Sequence, residues 1–262
     1  MSKAVEDDMD LQELLTLNVY VVLMTFARVG AAFAFMPGIG ARSVPARARL
    51  LFAFWVAVVI SPLAGPLFPP QPADAPSLLV GIGYEVTVGL FFALFAQVMM
   101  AGIQTAGSII AYLSSMANAF TADPLSGAQS AVTGNFLMQV GLVLLFATGM
   151  DHLMIQAVFE SYTLFPPGGV LPVGDMSEFF ARALNDSFAI AMQMSAPFLV
   201  VAICLQIALG LLNKLMPQLP VFFVAMPVQI AIALLLLTLA LPSMMMVYLA
   251  YFENGLEAFL SP

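Results

Sequence analysis

Thiol and imidazole side chains are nearly absent from this chain. It has one cysteine and one histidine, and each scarcity excludes a chemistry. Cys204, isolated in an apolar run, forms no internal disulfide and no cysteine-based metal site. His152 has Asp151 beside it and Glu160 nearby, yet adjacent helical residues point about 100° apart, and a zinc site needs more ligands than these. We read that group as structural or partner-facing. No Gly-x-Ser-x-Gly elbow, no His-Glu-x-x-His pair and no phosphate-cradling Gly-Lys-Ser/Thr loop occurs, so hydrolysis and nucleotide binding lack their usual residues. The expectation is a protein that is not an enzyme and has no cofactor or metal.

Charge is scarce as well. Only 8% of residues are charged and 62% are hydrophobic, whereas charged residues make up about a quarter of a soluble domain. With a mean hydropathy of +1.01, the chain reads as an integral membrane protein or a subunit buried in one. The first residues, MSKAVEDDMDLQEL, are acidic and lack a short apolar core with a cleavage site, so no removable signal peptide is expected. The net charge of -8 arises largely from that tail and from connections, and says little about an acidic or nucleic-acid partner.

What the chain has in quantity is long apolar runs. They fall at about 14–36, 50–68, 78–113, 131–150 with a continuation to 165, 188–212 and 221–251. Each reaches the roughly 20 residues a spanning helix needs, giving six expected passages. The runs are continuous, unlike the alternating strands of a membrane barrel. The run 78–113 exceeds a single crossing, since a helix of that extent would reach on the order of 50 Å against a hydrocarbon core of about 30 Å. Pro197, Pro227 and Pro242 each remove a backbone hydrogen bond inside an apolar run. Overlong, bent apolar helices point to an interlocking assembly.

Basic residues concentrate in two connections. The first, PGIGARSVPARAR, holds Arg42, Arg47 and Arg49, and the fifth, NKLMPQLP, holds Lys214 with Pro217 and Gln218. Short cytoplasmic connections are enriched in Lys and Arg, so these two mark the cytoplasmic side and both termini face away from it. The arginines are read first as topology determinants and headgroup contacts. Two charges, Arg28 and Glu85, lie inside apolar runs. Intramembrane charges are functional candidates; mutual pairing, pairing with a partner subunit and proton relay all remain open for them.

One stretch interrupts the apolar pattern without adding charge. Residues 102–130, GIQTAGSIIAYLSSMANAFTADPLSGAQS, crowd small polar side chains and glycines around a single charged residue, Asp123. Irregular polar backbone between spans either emerges into water or lines an aqueous path inside protein. A polar surface turn, with Asp123-Pro124 and Ser126-Gly127 as ordinary turn residues, is the plainer alternative. A buried conduit fits the lack of charge better. Ser114, Ser115 and Asn118 can bond one another without an ionic lock, Met116 and Phe120 supply a soft apolar stopper, and Gly107 and Gly127 give the backbone freedom.

Four blocks carry a resemblance. RVGAAFAFMPGIGARSVPARARLLFAFWVAVVISPL at 28–63, GIQTAGSIIAYLSSMANAFTADPLSG at 102–127, GMDHLMIQAVFESYTLFPPG at 149–168 and LGLLNKLMPQLPVFFVAMP at 209–227 resemble the FliR family of flagellar biosynthesis proteins, part of the type III secretion export gate. Injectisome relatives share the pattern more loosely. The resemblance implies an all-α export-gate subunit with about six long, partly kinked helices in hairpins. It divides the chain into an acidic tail 1–13, a part 14–186 like the P subunit, and a hairpin 187–262 like the Q subunit. It implies assembly with P and Q subunits, contact with the large cytoplasm-facing gate proteins, and passage of unfolded flagellar subunits through a gated pore driven by the proton motive force. It places the chain in the bacterial inner membrane, in the flagellar basal body, with the assembly protruding to the periplasmic side. The counterpart of 102–130 is then the plug of the closed pore. A secondary transporter of a small solute is the rival reading; it predicts a second interrupted stretch in the other half, and none matches.

Overall fold

The computed structural model describes residues 2–41, 44–115, 132–216, 218 and 221–260, with backbone alone for 2–18 and 222–223. Every regular element among them is helical: α1 Ser2–Phe35, α2 Ala46–Ala64 continued by one 3-10 turn Gly65–Leu67, α3 Ala75–Leu113, α4 Val132–Ala147, α5 Met150–Leu164, α6 Val173–Leu215 and α7 Val221–Glu257. Hydrocarbon offers no hydrogen bonds to backbone groups, and a helix satisfies all of its own. The long apolar runs therefore become the long helices. The protein is an all-α membrane protein.

The ends of these helices follow from local chemistry. Pro69, Pro70 and Pro72 forbid continuation of α2. Helix α3 restarts at Asp74, whose Oδ2 accepts bonds from the Ser77 N–H at 3.2 Å and the Ser77 hydroxyl at 2.6 Å. That is an N-cap, and Pro76 falls in the first turn, where its missing N–H costs nothing. The run expected to continue from 131 to 165 is instead broken: α4 and α5 are bent by 75°. Gly149 supplies the break with a left-handed φ of 78°, a conformation that glycine adopts without strain. Helix α6 begins at Val173, so residues 173–186, expected in a connection, are helical.

Among the described residues four helical segments are long and apolar enough to cross a membrane: Ala46–Leu67, Ala75–Leu113, Val173–Leu215 and Val224–Glu257. The bent pair α4 and α5 makes a fifth if counted as one span, and Val19–Phe35 is a shorter apolar helix. Five of the six expected passages thus have a candidate span, the bent pair counted as one, and the first, 14–36, has only the shorter apolar segment Val19–Phe35. Helices run through Pro62, Pro197, Pro227 and Pro242.

The chain forms two compact units, one of Met1–Gln97, Gly149–Ala181 and Gly255–Pro262, the other of Val98–Thr148 and Arg182–Asn254. The first unit packs α1 closely on α2 and on the first part of α3. At Gly89 of α3 an added Cβ would come within 2.2 Å of the Arg28 carbonyl oxygen, so only glycine permits this approach. A phenylalanine cluster fills its other side, with Phe259 against Phe92, Phe179 and Phe95 at ring distances of 4.7, 4.8 and 5.0 Å. In the second unit, Ile103, Ala106, Ile110, Leu137, Met194, Phe198 and Tyr248 are buried. The Ser187 hydroxyl donates to the Val98 carbonyl at 2.9 Å.

Large apolar side chains stand exposed along the helices, among them Trp55, Val59, Leu239 and Met246. A surface of this kind aggregates in water and is covered by lipid or by other subunits in place.

Candidate functional site

Arg28 and Glu85, separated by 57 positions, meet in the first unit. Arg28 Nε donates to Glu85 Oε2 at 2.6 Å, and the two side chains are 0% and 2% exposed. The guanidinium is then satisfied on its other edges. One terminal nitrogen donates to Ser161 Oγ at 3.0 Å and the other to the Phe165 carbonyl at 2.9 Å. The Ser161 hydroxyl in turn donates to the Val158 carbonyl at 2.6 Å. The Tyr162 ring lies under the guanidinium carbon at 3.9 Å to its centre, a cation–π contact that gains strength when dry.

Each partner has a local reason to be there. Glu85 and Gly89 are one helical turn apart on α3 and so share a face; the close approach at Gly89 brings Arg28 within reach. Phe165 ends α5, where the last carbonyls lack helical partners, and the arginine both bonds to one and complements the negative end of the helix dipole. Of the readings left open by the sequence, mutual pairing is the one found. Thr25 Oγ1 and the Tyr162 hydroxyl are buried nearby with no hydrogen-bond partner among the described residues.

The polar end of α3 lies in the second unit. Gly107 packs against α4 so closely that an added Cβ would sit 2.4 Å from Gly134 Cα. Ser114 is buried, with its hydroxyl bonded back to the Ile110 carbonyl at 2.7 Å, which closes the last turn of the helix. Ser115 then leaves helical geometry with φ 58°, a left-handed value that costs a non-glycine residue about 1–2 kcal/mol. Its hydroxyl donates to Gln229 Oε1 of α7 at 2.7 Å, and Gln229 is itself buried. A cavity of about 20 Å³ lined by Ser114, Gln229, Phe198 and Ala202 adjoins this bond, enough for one water molecule. Met116, Asn118, Phe120, Asp123, Pro124 and Gly127 lie outside the described residues.

The basic connections divide by role. Arg49 turns back to donate to the Ala34 and Gly40 carbonyls at 3.0 and 3.1 Å, closing the C-terminal end of α1. Arg47 is exposed, as are Lys214 in the last turn of α6 and Gln218; Arg42 and Pro217 lie outside the described residues. His152 Nδ1 comes within 3.0 Å of Asp151 Oδ1 with the imidazole 84% exposed. The two side chains therefore lean together at the start of α5, contrary to the divergence expected from helical spacing.

Three participants were not singled out from the sequence. Ser161 and Tyr162 belong to a block read only for resemblance, and Gln229 is one polar residue among apolar neighbours in α7. A lone amide inside an apolar helix is the signal that could have marked Gln229, because burying it demands a partner.

Several long apolar helices, with a buried ion pair packed among them, define a multi-span α-helical membrane protein. Residues 19–255 match the family described as bacterial export proteins, family 1. The flagellar biosynthetic protein FliR of Caulobacter vibrioides is 35% identical over 92% of this chain and 96% of its own length. Its namesake in Bacillus subtilis is 33% identical over 90% and 91%. The Yop proteins translocation protein T of Yersinia pestis is 30% identical over 66% and 67%. This chain belongs to that family of bacterial export proteins, and within it to the FliR family.

Proposed function

We propose that the chain is a membrane subunit of the flagellar type III protein export gate, a structural component without a reaction of its own, that helps form the gated pore for unfolded flagellar subunits. Its place in the export apparatus rests on the family match and on relatives named as flagellar biosynthetic proteins. In this reading it assembles with P and Q subunits in the inner membrane and protrudes toward the periplasm. Its residues 14–186 form the P-like part and 187–262 the Q-like hairpin. The exposed apolar surfaces of α6 and α7 suit burial against such neighbours.

The observation that carries the gating part is the way α3 ends. An apolar helix closes on two serines, and the second is tied to Gln229 by an uncharged hydrogen bond. The polar stretch that follows contains one ionisable residue, Asp123. A stopper held this way can yield to varied side chains, because no buried ion pair has to break first. Gly107, packed against Gly134, serves as the stationary edge. Deleting residues 116–127 is expected to raise ion leak across the inner membrane while the gate still assembles. An unchanged leak through an assembled gate overturns the plug.

A further inference from the structure

A second site, unrelated to the gate, opens above the buried ion pair in the first unit. It is a cavity of about 370 Å³ between the start of α3, the proline-rich connection after α2 and the turn that follows α5. Tyr20, Phe68 and Tyr84 give it aromatic walls, Pro69 and Pro167 face it across the two connections, and Glu85 forms part of its lining. A volume in this range with apolar walls and a few convergent polar groups is that of a ligand pocket.

The polar groups share one character. Glu85 spends Oε2 on Arg28 Nε, which leaves its other oxygen as an acceptor beside the cavity. Tyr84 is more than nine-tenths buried, and no hydrogen bond reaches its hydroxyl among the described residues. That hydroxyl lies on the cavity wall, since a Cβ on the lining residue Gly169 would meet it at 3.4 Å. Among the described residues no lysine or arginine lines the cavity. Arg28 is committed to Glu85 Oε2, Ser161 and Phe165 and is not among the lining residues, and Asp74 adds a further carboxylate through its bonds to the lining residue Ser77. Acceptors and aromatic faces without a free cation select a positively charged donor.

We propose that this cavity binds a primary ammonium group, with the free Glu85 oxygen and the Tyr84 hydroxyl accepting its N–H bonds and the Tyr20 and Phe68 rings enclosing it. A quaternary ammonium has no N–H to give and is the poorer ligand. The position favours a lipid headgroup of the ethanolamine type. One apolar span ends at Leu67 and another begins at Ala75, so the cavity lies at the ends of two apolar helices, where headgroups would meet it if those helices cross a bilayer. The neighbouring Leu67, Leu79 and Val80 present exposed apolar surface for acyl chains. A soluble amine carries the same chemistry.

The test uses the full chain in the complex it forms in its native membrane, reconstituted into nanodiscs of phosphatidylethanolamine, phosphatidylcholine or phosphatidylglycerol. Native mass spectrometry then counts retained lipid. Phosphatidylethanolamine is expected to be retained in preference to the other two. Tyr84→Phe, which keeps the ring and the ion pair, is expected to weaken that retention about tenfold, the effect of one hydrogen bond to a charged group, with the unfolding midpoint unchanged. Val80→Trp, placed at the cavity lining, is expected to abolish it. If instead free ethanolamine binds with the same sensitivity to Tyr84→Phe while no lipid is preferred, the site takes a soluble amine. Equal retention of all three lipids with no response to ethanolamine overturns the proposal, as does a preference that survives both substitutions.

Discussion

Two polar arrangements in this molecule meet the same demand, burial away from water, by opposite means. In the first unit a full ion pair is enclosed, and each edge of the Arg28 guanidinium is used by Glu85, Ser161 or the Phe165 carbonyl. In the second, a serine at φ 58° and a glutamine share one neutral bond beside a cavity for a single water. Removing charges from water is expensive, and the cost is recovered only if every group finds partners. The first arrangement is therefore all-or-none and suits a joint that must not move. The second rests on a single neutral bond worth about 1 kcal/mol, which suits the yielding stopper proposed above.

The largest expected effect breaks the first arrangement. Arg28→Ala or Glu85→Ala leaves one buried charge alone and is expected to cost about 3–5 kcal/mol, seen as loss of assembled complex and a lower unfolding midpoint. The double change Arg28→Met with Glu85→Leu is expected to recover part of that loss, because no lone charge remains. A double variant as damaged as the singles would mean that the charges act outside the pair.

A smaller effect sharpens the second arrangement. Ser115→Ala loses the bond to Gln229 and keeps the left-handed backbone, whereas Ser115→Gly loses the bond and relieves the strain. We expect Ser115→Ala to cost about 0.5–1.5 kcal/mol and Ser115→Gly less, with thermal unfolding of the complex as readout. Gln229→Leu is expected to raise ion leak without loss of assembly. Equal stability for the two serine variants would show that φ at this position carries no strain.

The smallest effect is at a polar contact that faces water. The Ser77 hydroxyl and N–H hold the Asp74 carboxyl below the usual carboxylate range. Its folded pKa lies under the unfolded one, so the contribution is complete above the ordinary carboxylate pKa and is lost as pH falls through the lowered folded value. Asp74→Ala is expected to lower the unfolding midpoint slightly at neutral pH and to converge with the parent in acid. A difference that persists in strong acid would assign the effect to helix propensity.

How far the sequence shows these arrangements depends on where the information lies. The spans are legible because length and apolarity are local properties, as in 78–113 against α3. Arg28 and Glu85 stand out for the same reason, being charges among apolar neighbours. Their bonds do not, since Ser161 and Phe165 are 133 and 137 positions from Arg28 and only packing brings them together. The start of α6 is hidden by Asp175, Glu178 and Arg182, whose charges lower the hydropathy of a segment that is nevertheless helical. The bend after α4 has a visible cause in Gly149, but one glycine in an apolar run does not reveal the sign of its φ.

Helix α6 has 43 residues, and at about 1.5 Å each it extends roughly 65 Å, twice the thickness of the oil layer it would traverse. Photoreactive fatty-acid tails offered along its length could mark only a band, and the remainder must be wetted or sheathed by neighbours. A ruler of this kind, already present in the fold, turns the height of the labelled band into a measure of how deeply the subunit sits.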